Sequence, residues 1–309
     1  MHIKPSDRDT SQQQNHTGLA NIAIIGCGYV GTAASRYWYQ QKTHSVTATT
    51  TREERVTELQ EVASQVLVMK GDDSQAVKSL LQNRDTVVLS IAPISARQVD
   101  AEVYRETYIP TAKNLITALQ ETPSVKQLIY LSSCSVYGNQ KGEWADENSP
   151  VDTNGEYNQV LCEAEQLLLN SASEDVKITI LRLGGIYGPK REITKRFARI
   201  AGKTMPGSGA TFTSWIHLDD IIAAMDFLCQ RRLGGIYNLV NDFNLTIREL
   251  SDKVCLREGL EKILWDDTKP SYRFLNARVS NEKIKAARYK LIHPDRLIRI
   301  REKGVGSRE

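Results

Sequence analysis

The chain has 309 residues, of which 40% are hydrophobic and 25% charged, and carries a formal net charge of +3. These values describe a soluble globular protein of one large or two modest domains. The charge is too small to imply a nucleic-acid partner, and no apolar run approaches the roughly eighteen residues of a membrane span.

Residues 1–18, MHIKPSDRDTSQQQNHTG, are polar and lack an apolar segment, so they read as a disordered extension and not a signal peptide. Order is expected from Leu19. NIAIIG is a short apolar run ending in glycine, the pattern of a buried parallel strand. YVGTAASRYWYQQ has helical spacing, and SVTATTT is β-rich and predicts the second strand. REERVTELQEVAS predicts a helix, VLVMKGDD a third strand, SQAVKSLLQNR a helix, and TVVLSIAP a fourth strand closed by Pro93. A long helix is expected over 101–121, kinked or broken at Pro110. VKQLIYLSS is the fifth strand, NQVLCEAEQLLLNSA an amphipathic helix, and VKITILRLG the sixth strand.

Strands alternating with helices indicate βαβ units, so the expected fold class is α/β, a doubly wound parallel sheet over 19–183. After about Gly184 the alternation weakens. SWIHLDDIIAAMDFLCQ and GGIYNLV then fall in a small C-terminal substrate lobe over 184–309, dependent on the first domain. The basic end of the chain, which includes RLIRIREK, reads as a solvated face. The five cysteines, Cys27, Cys134, Cys162, Cys229 and Cys255, are odd in number and have no CxxC spacing. No zinc or disulfide framework is expected, and a reducing, cytoplasmic compartment fits.

IIGCGYVG places Gly26, Gly28 and Gly31 as GxGxxG directly after a strand and at the opening of a helix. Gly26 permits the tight turn, Gly28 lets backbone approach a pyrophosphate, and Gly31 allows close helix–sheet packing. The amides of Tyr29 and Val30 begin the helix, whose N-terminus favours anions. This predicts a dinucleotide cofactor. The end of the second strand holds Thr51 and Arg52 where an NAD site usually has Asp or Glu, so NADP is favoured and NAD is the alternative. Asp72, after the third strand, is either beside the adenine or a loop cap. Ala92 and Pro93, after the fourth, complete the expected cofactor-binding set.

With IIGCGYVG, YLSSCSVYG, YNQVLCEAEQLLL, LRLGGIYGP, WIHLDDIIAAM and GGIYNLV in place, residues 20–245 resemble the extended and atypical short-chain dehydrogenase/reductases of Rossmann fold. Within them the chain is similar to a bacterial atypical subgroup, NAD-dependent epimerase/dehydratase-like, whose members lack a complete catalytic set. The resemblance puts the catalytic serine at Ser133 and the catalytic tyrosine at Tyr157, with Glu165 fixing the register. Tyr137 belongs to the turn and is not the acid. The lysine of the family, which lowers the tyrosine pKa and holds the nicotinamide ribose, falls on Leu161. A free phenol titrates near pKa ~10, and bringing it to neutrality requires about 3 units, roughly 4 kcal/mol. A neighbouring cation is the usual source, and Lys141, Lys190 and Arg191 are the loop candidates for a substitute.

Family members that bind nucleotide sugars often carry Arg two residues before the aromatic that is Trp215 here. That place holds Thr213, and Gly184 and Gly185 stand near the usual Asn, so a diphosphate clamp is weakened. The counterpart of His217 is mainly structural, and Asp219 and Asp220 are expected to cap the helix that follows. Tyr187 and Pro189 shape a loop beside the nicotinamide pocket, and Phe197, Met205 and Arg273 are candidates for the substrate cleft. The resulting expectation is an NADP-dependent oxidoreductase on a small carbonyl or sugar-like substrate. A non-catalytic NAD(P)-binding regulator and a nucleotide-sugar epimerase or dehydratase are the alternatives. The helices near 101–121 and after Tyr157 are the candidates for a homodimer interface.

Overall fold

The structure is a computed structural model that describes residues 20–42, 44–93, 100–271 and 275–295. The N-terminal extension, Leu19, Arg273 and the basic segment from residue 296 lie outside the described residues. In chain order the elements begin β1 (Ala20–Ile25), α1 (Tyr29–Gln41), β2 (His44–Thr50), α2 (Val56–Gln60), β3 (Gln65–Val68), α3 (Ser74–Leu81), β4 (Thr86–Leu89) and α4 (Ala101–Gln120). Then come β5 (Gln127–Ser133), β6 (Asn139–Ala145), α5 (Glu156–Asn170), β7 (Lys177–Leu183), β8 (Gly185–Tyr187), α6 (Ile193–Ala198), β9 (Thr204–Pro206) and β10 (Phe212–Thr213). The remainder is β11 (Trp215–His217), α7 (Leu218–Arg231), β12 (Gly235–Leu239), β13 (Leu245–Thr246), α8 (Ile247–Glu258), β14 (Leu264–Asp266), β15 (Asn276–Val279) and α9 (Glu282–Ala286).

Seven parallel strands form the central sheet in the order β12-β7-β5-β4-β1-β2-β3. The order reverses direction between β1 and β4, which opens the crevice where such sheets take ligands. Successive side chains of a strand point to opposite faces. In β1, Ala23 and Ile25 enter a core with α3, α4 and α5, through Val77, Leu115 and Leu168 among others. Ile22 and Ile24 enter the opposite core, with Ala34 and Trp38 of α1 and Ile221 and Met225 of α7. Both faces are covered, which is why the strand reads as a continuous apolar run. Trp38 is fully buried, and its indole N–H donates to Asp226 at 2.8 Å, tying α1 to α7. A third, smaller core gathers Tyr187, Phe197, Trp215, Leu250 and Val254.

Three expectations change. The chain re-enters the central sheet beyond residue 184: β12 pairs with β7 from Gly235↔Thr179 to Leu239↔Leu183, so GGIYNLV lies in the main sheet. The helix predicted over 52–64 is a 3-10 turn, Glu53–Arg55, followed by the short α2, because Ser64 already donates its amide to Val46 on the way to β3. The long helix α4 is not broken at Pro110. The proline removes one amide donor, while the hydroxyls of Thr107 and Thr111 bond back to the carbonyls of Val103 and Thr107 and keep the flanking turns closed.

Candidate active site

A cleft of about 770 Å3 opens at the carboxyl ends of the central strands. Its lining joins Gly26, Gly28, Tyr29 and Val30 of the glycine turn, Thr51 and Arg52 after β2, Asp72 after β3, Ala92 and Pro93 after β4, and Ser133 at the end of β5. Residues far apart in sequence thus meet where the family resemblance puts the coenzyme.

The glycine turn is built by crowding on two sides and openness on the third. Gly26 has φ +90°, and a Cβ there would lie 2.6 Å from the Ser90 carbonyl oxygen. A Cβ on Gly31 would lie 2.5 Å from the Gly26 oxygen, so α1 packs against its own turn. At Gly28 a Cβ would meet nothing within 4 Å, which leaves bare backbone facing the cleft. No side chain caps the N-terminus of α1 and no acidic residue stands in its first turn. Helix starts leave amides unsatisfied, and here they border a cleft. These features fit the phosphates of a dinucleotide. The turn is secured from β2, since Gly26 N–H donates to Thr49 Oγ1 at 3.1 Å and Cys27 N–H to the Thr49 carbonyl at 2.9 Å.

At the tip of β2 the lining holds Thr50, Thr51, Arg52 and Arg55 and no carboxylate. Arg55 is committed: it donates to the Cys27 carbonyl, to Thr32 at 3.2 Å and to Glu58 at 3.0 and 3.1 Å. Among the described residues the Arg52 side chain has one ion pair, with Glu54 at 3.8 Å, an exposed contact of the kind that contributes little. Asp72 lines the cleft while its neighbour Asp73 caps α3, accepting the Ala76 amide at 2.9 Å. Sequence reading missed the α4 wall, Glu106, Thr107 and Thr111, along with Lys70 and Ser90. The signal for α4 was a polar stripe set against the buried Tyr108, Ile109, Ala112 and Leu115.

The residues assigned to chemistry are less united. Ser133 lines the cleft, and its hydroxyl oxygen accepts the Ser135 amide at 3.1 Å, which leaves its own proton to donate. Tyr157, on α5, is not among the lining residues; its ring meets Tyr104 edge-on, with centroids 5.1 Å apart. Burial, then the adjacent Tyr157, pushes the Tyr104 phenol above its ordinary value, so Tyr104 is no ready base. Leu161 does not line the cleft either. It is 6% exposed and belongs to the buried cluster of Tyr108, Val160 and Ala164. Of the loop cations, Arg191 reaches the cleft, but its guanidinium sits 4.2 Å from the ring centre of Tyr29.

Behind Ser133 lies a buried polar network. Ser132 donates to Glu165 at 2.5 Å, Arg182 donates to Glu165 from Nη2 at 2.6 Å, and Arg182 Nη1 donates to Tyr137 Oη at 3.0 Å. Tyr137 in turn donates to Asn238 at 2.7 Å. Burial opposes the Arg182 charge, but the bonds to Glu165 and Tyr137 outweigh it and hold the guanidinium firmly protonated. Ser132, Tyr137 and Glu165 are thus tied into one buried network, of which Ser132 also lines the cleft.

His217, not Asp219 or Asp220, caps α7: its Nδ1 accepts the Asp219 amide at 3.1 Å. The carboxylate of Asp220 instead takes the amides of Ile292 and His293, at 2.5 and 3.1 Å, and pins the C-terminal strap. Thr213 is buried and accepts the Trp215 indole N–H at 2.9 Å. The double glycine has the same cause, since a Cβ on Gly184 or Gly185 would lie 2.9 Å from Trp215 atoms. Phe197 is buried in the small-lobe core and Met205 packs against it.

The sequence profile of the NAD dependent epimerase/dehydratase family matches residues 22–240. The chain belongs to that family. It is 30% identical over 235 residues to Protein YeeZ of Escherichia coli strain K12, covering 72% of this chain and 77% of that one. It is 28% identical over 191 residues to the N-acetyl-alpha-D-glucosaminyl-diphospho-ditrans,octacis-undecaprenol 4-epimerase of Escherichia coli O157:H7. That match covers 59% of this chain and spans only 57% of the relative's length. Among solved structures, the dTDP-glucose 4,6-dehydratase of Bacillus anthracis in complex with NAD superposes with a TM-score of 0.73 at 19% identity. That superposition covers 91% of this chain and 95% of that one, and at such identity it speaks to the fold. Among the described residues no helix is long and apolar enough to cross a membrane.

Proposed function

We propose that the cleft binds a nicotinamide dinucleotide, NADP in preference to NAD, and that the chain is a slow oxidoreductase on a small carbonyl or sugar-like substrate. The observation that carries this reading is the shared lining: the uncapped glycine turn, the Thr51–Arg52 tip of β2 and Ser133 border one cavity. A bound nicotinamide supplies hydride chemistry. The chain's own contributions are amides for the diphosphate, Arg52 for a 2′-phosphate, and the Ser133 hydroxyl for a substrate carbonyl. Arg52 suits the 2′-phosphate because a guanidinium recognises phosphate in two-point fashion, and the exposed Glu54 contact is a weak competitor.

Slow turnover follows from Leu161. Its place in the apolar core offers no cation to a phenol, and general acid–base help of this kind is commonly worth about 10²–10⁴-fold. A second reading, nucleotide-sugar epimerisation, is favoured by the 28% identical 4-epimerase. Thr213 weighs against it, because a buried, uncharged hydroxyl stands where a guanidinium would clamp a diphosphate.

Titration of the purified chain with NADPH and NADH, followed by fluorescence, tests the reading. NADPH is expected to bind more tightly and Arg52→Ala to remove the difference; tighter NADH binding refutes the NADP preference. NADPH consumption on carbonyl substrates is expected to be feeble and to vanish in Ser133→Ala.

A further inference from the structure

The cleft has a wall that abuts the start of α1, beside the glycine turn. After β8 the chain folds back between Gly188 and Arg191, closed by Arg191 N–H to the Gly188 carbonyl at 3.0 Å and the reverse bond at 3.4 Å. The fold-back is fastened to α1: the Tyr29 hydroxyl donates to the Pro189 carbonyl at 2.7 Å. Tyr29 is the first residue of α1, so its ring stands beside the uncapped amides, and the Arg191 guanidinium lies 4.2 Å from its centre. Arg191 is exposed, lines the cleft, and makes no ion pair among the described residues.

The amides of the turn are dipoles, whereas a diphosphate brings net negative charge that favours a true cation. Arg55 is tied to Glu58 and Cys27, and Arg52 and Lys70 follow β2 and β3, on the side of Asp72. Arg55 and Arg191 both touch the glycine turn or its helix, Arg55 through Cys27 and Thr32 and Arg191 through Tyr29, but Arg55 is neutralised by Glu58 while Arg191 has no ion pair among the described residues. We propose that Arg191 is the diphosphate-neutralising residue of the cleft, stored on the face of Tyr29 and brought within reach by the Tyr29–Pro189 latch. The assignment rests on the dinucleotide reading above. The guanidinium turns from the ring, a contact worth little while solvent-exposed, to charge-assisted bonds with phosphate oxygens.

The test titrates the unaltered chain, Arg191→Met, Arg191→Lys and Tyr29→Phe with NADPH, NADH and a uridine diphosphate sugar. Arg191→Met is expected to weaken both coenzymes by a similar factor, about ten-fold or more, and to flatten the salt dependence of binding. Arg191→Lys is expected to fall between, and Tyr29→Phe to lose a smaller factor. The melting temperature without ligand is expected to stay put in all three, since Arg191 is exposed and the Tyr29 ring is retained. Unchanged coenzyme affinity in Arg191→Met overturns the proposal while leaving the dinucleotide reading standing. A loss confined to NADPH would move the guanidinium to the 2′-phosphate, and a loss confined to the diphosphate sugar would move it to the substrate; either overturns it. If the unaltered chain binds neither coenzyme, both readings fall.

Discussion

Replacing Glu165 with leucine tests how the end of β5 is held. The carboxylate accepts Ser132 Oγ at 2.5 Å, Arg182 Nη2 at 2.6 Å and Arg182 Nε at 3.1 and 3.2 Å. The two ionic side chains are only 5% and 4% exposed. Water cannot replace the lost partner, so Glu165→Leu strands a buried guanidinium and costs about 3–5 kcal/mol. At roughly 2–4 °C per kcal/mol this lowers the melting temperature by about 6–20 °C. Arg182→Met alone strands the carboxylate and is expected to cost a similar amount. The double variant removes both charges and leaves Tyr137 its bond to Asn238, so it is expected to recover most of the loss. Urea and thermal unfolding of the four proteins make a double-mutant cycle. A single variant within about 1 kcal/mol of the unaltered chain, or a double variant as unstable as the sum of the singles, would refute the argument.

Two further outcomes follow from the geometry. Leu161→Lys restores the family's residue type but puts an ammonium into the cluster of Tyr108, Val160 and Ala164. It is expected to destabilise by several kcal/mol and to leave NADPH consumption unimproved; brisk turnover in a stable Leu161→Lys protein would overturn the placement of position 161 in the core, while supporting the missing cation as the cause of slow turnover. Glu249 accepts the Thr246 amide at 2.8 Å and its hydroxyl at 2.9 Å, bonds that hold its carboxyl below the ordinary value. A depressed folded value stabilises above the unfolded pKa of about 4.3 and is lost as pH falls through the folded one. Glu249→Gln is therefore expected to be less stable at pH 7, by no more than about 0.5 kcal/mol for so exposed a group. It should match the unaltered chain at about pH 3; a gap that persists in acid counts against the capping box.

The central-sheet strands through β7 were legible because each strand buried on both faces leaves an apolar run and each covering helix a periodic one, whereas β6, outside that sheet and largely exposed, was not. The glycine turn was legible because Gly26 and Gly31 leave no room for a Cβ, while Gly28 keeps bare backbone open to the cleft. Ser133, placed by the family resemblance, ends β5 and lines the cleft. What the sequence hides is contact across distance. Nothing near Gly235 announces that β12 completes the main sheet, since a five-residue strand has no room to show its partner. The α4 wall was hidden for the same reason, as Glu106 and Thr107 look like any solvated helical turn until the loop after β3, at Gly71, is set against Thr111 and Asn114. His217 capping α7 escaped because Asp219 and Asp220 are the commoner capping types.

The two halves of the cleft are held by different means, and this separates binding from chemistry. The coenzyme half is made of backbone: two crowded glycines, an open one, and amides tied to Thr49. The shape of this turn survives as long as the sheet packs, because its crowded contacts are to backbone and to the neighbouring strand β2. The chemical half depends on side chains arriving together, and here they part company. Ser133 faces the cavity, Tyr157 rests against Tyr104, and the third position, Leu161, contributes to the packing of α5 against α4. An apolar residue at that position adds core contacts that a lysine would forfeit, so stability of the fold and a proton relay compete for the same site. On the proposed reading, the backbone turn sustains the grip on a dinucleotide, and any catalysis falls to the polar groups that the cavity wall presents.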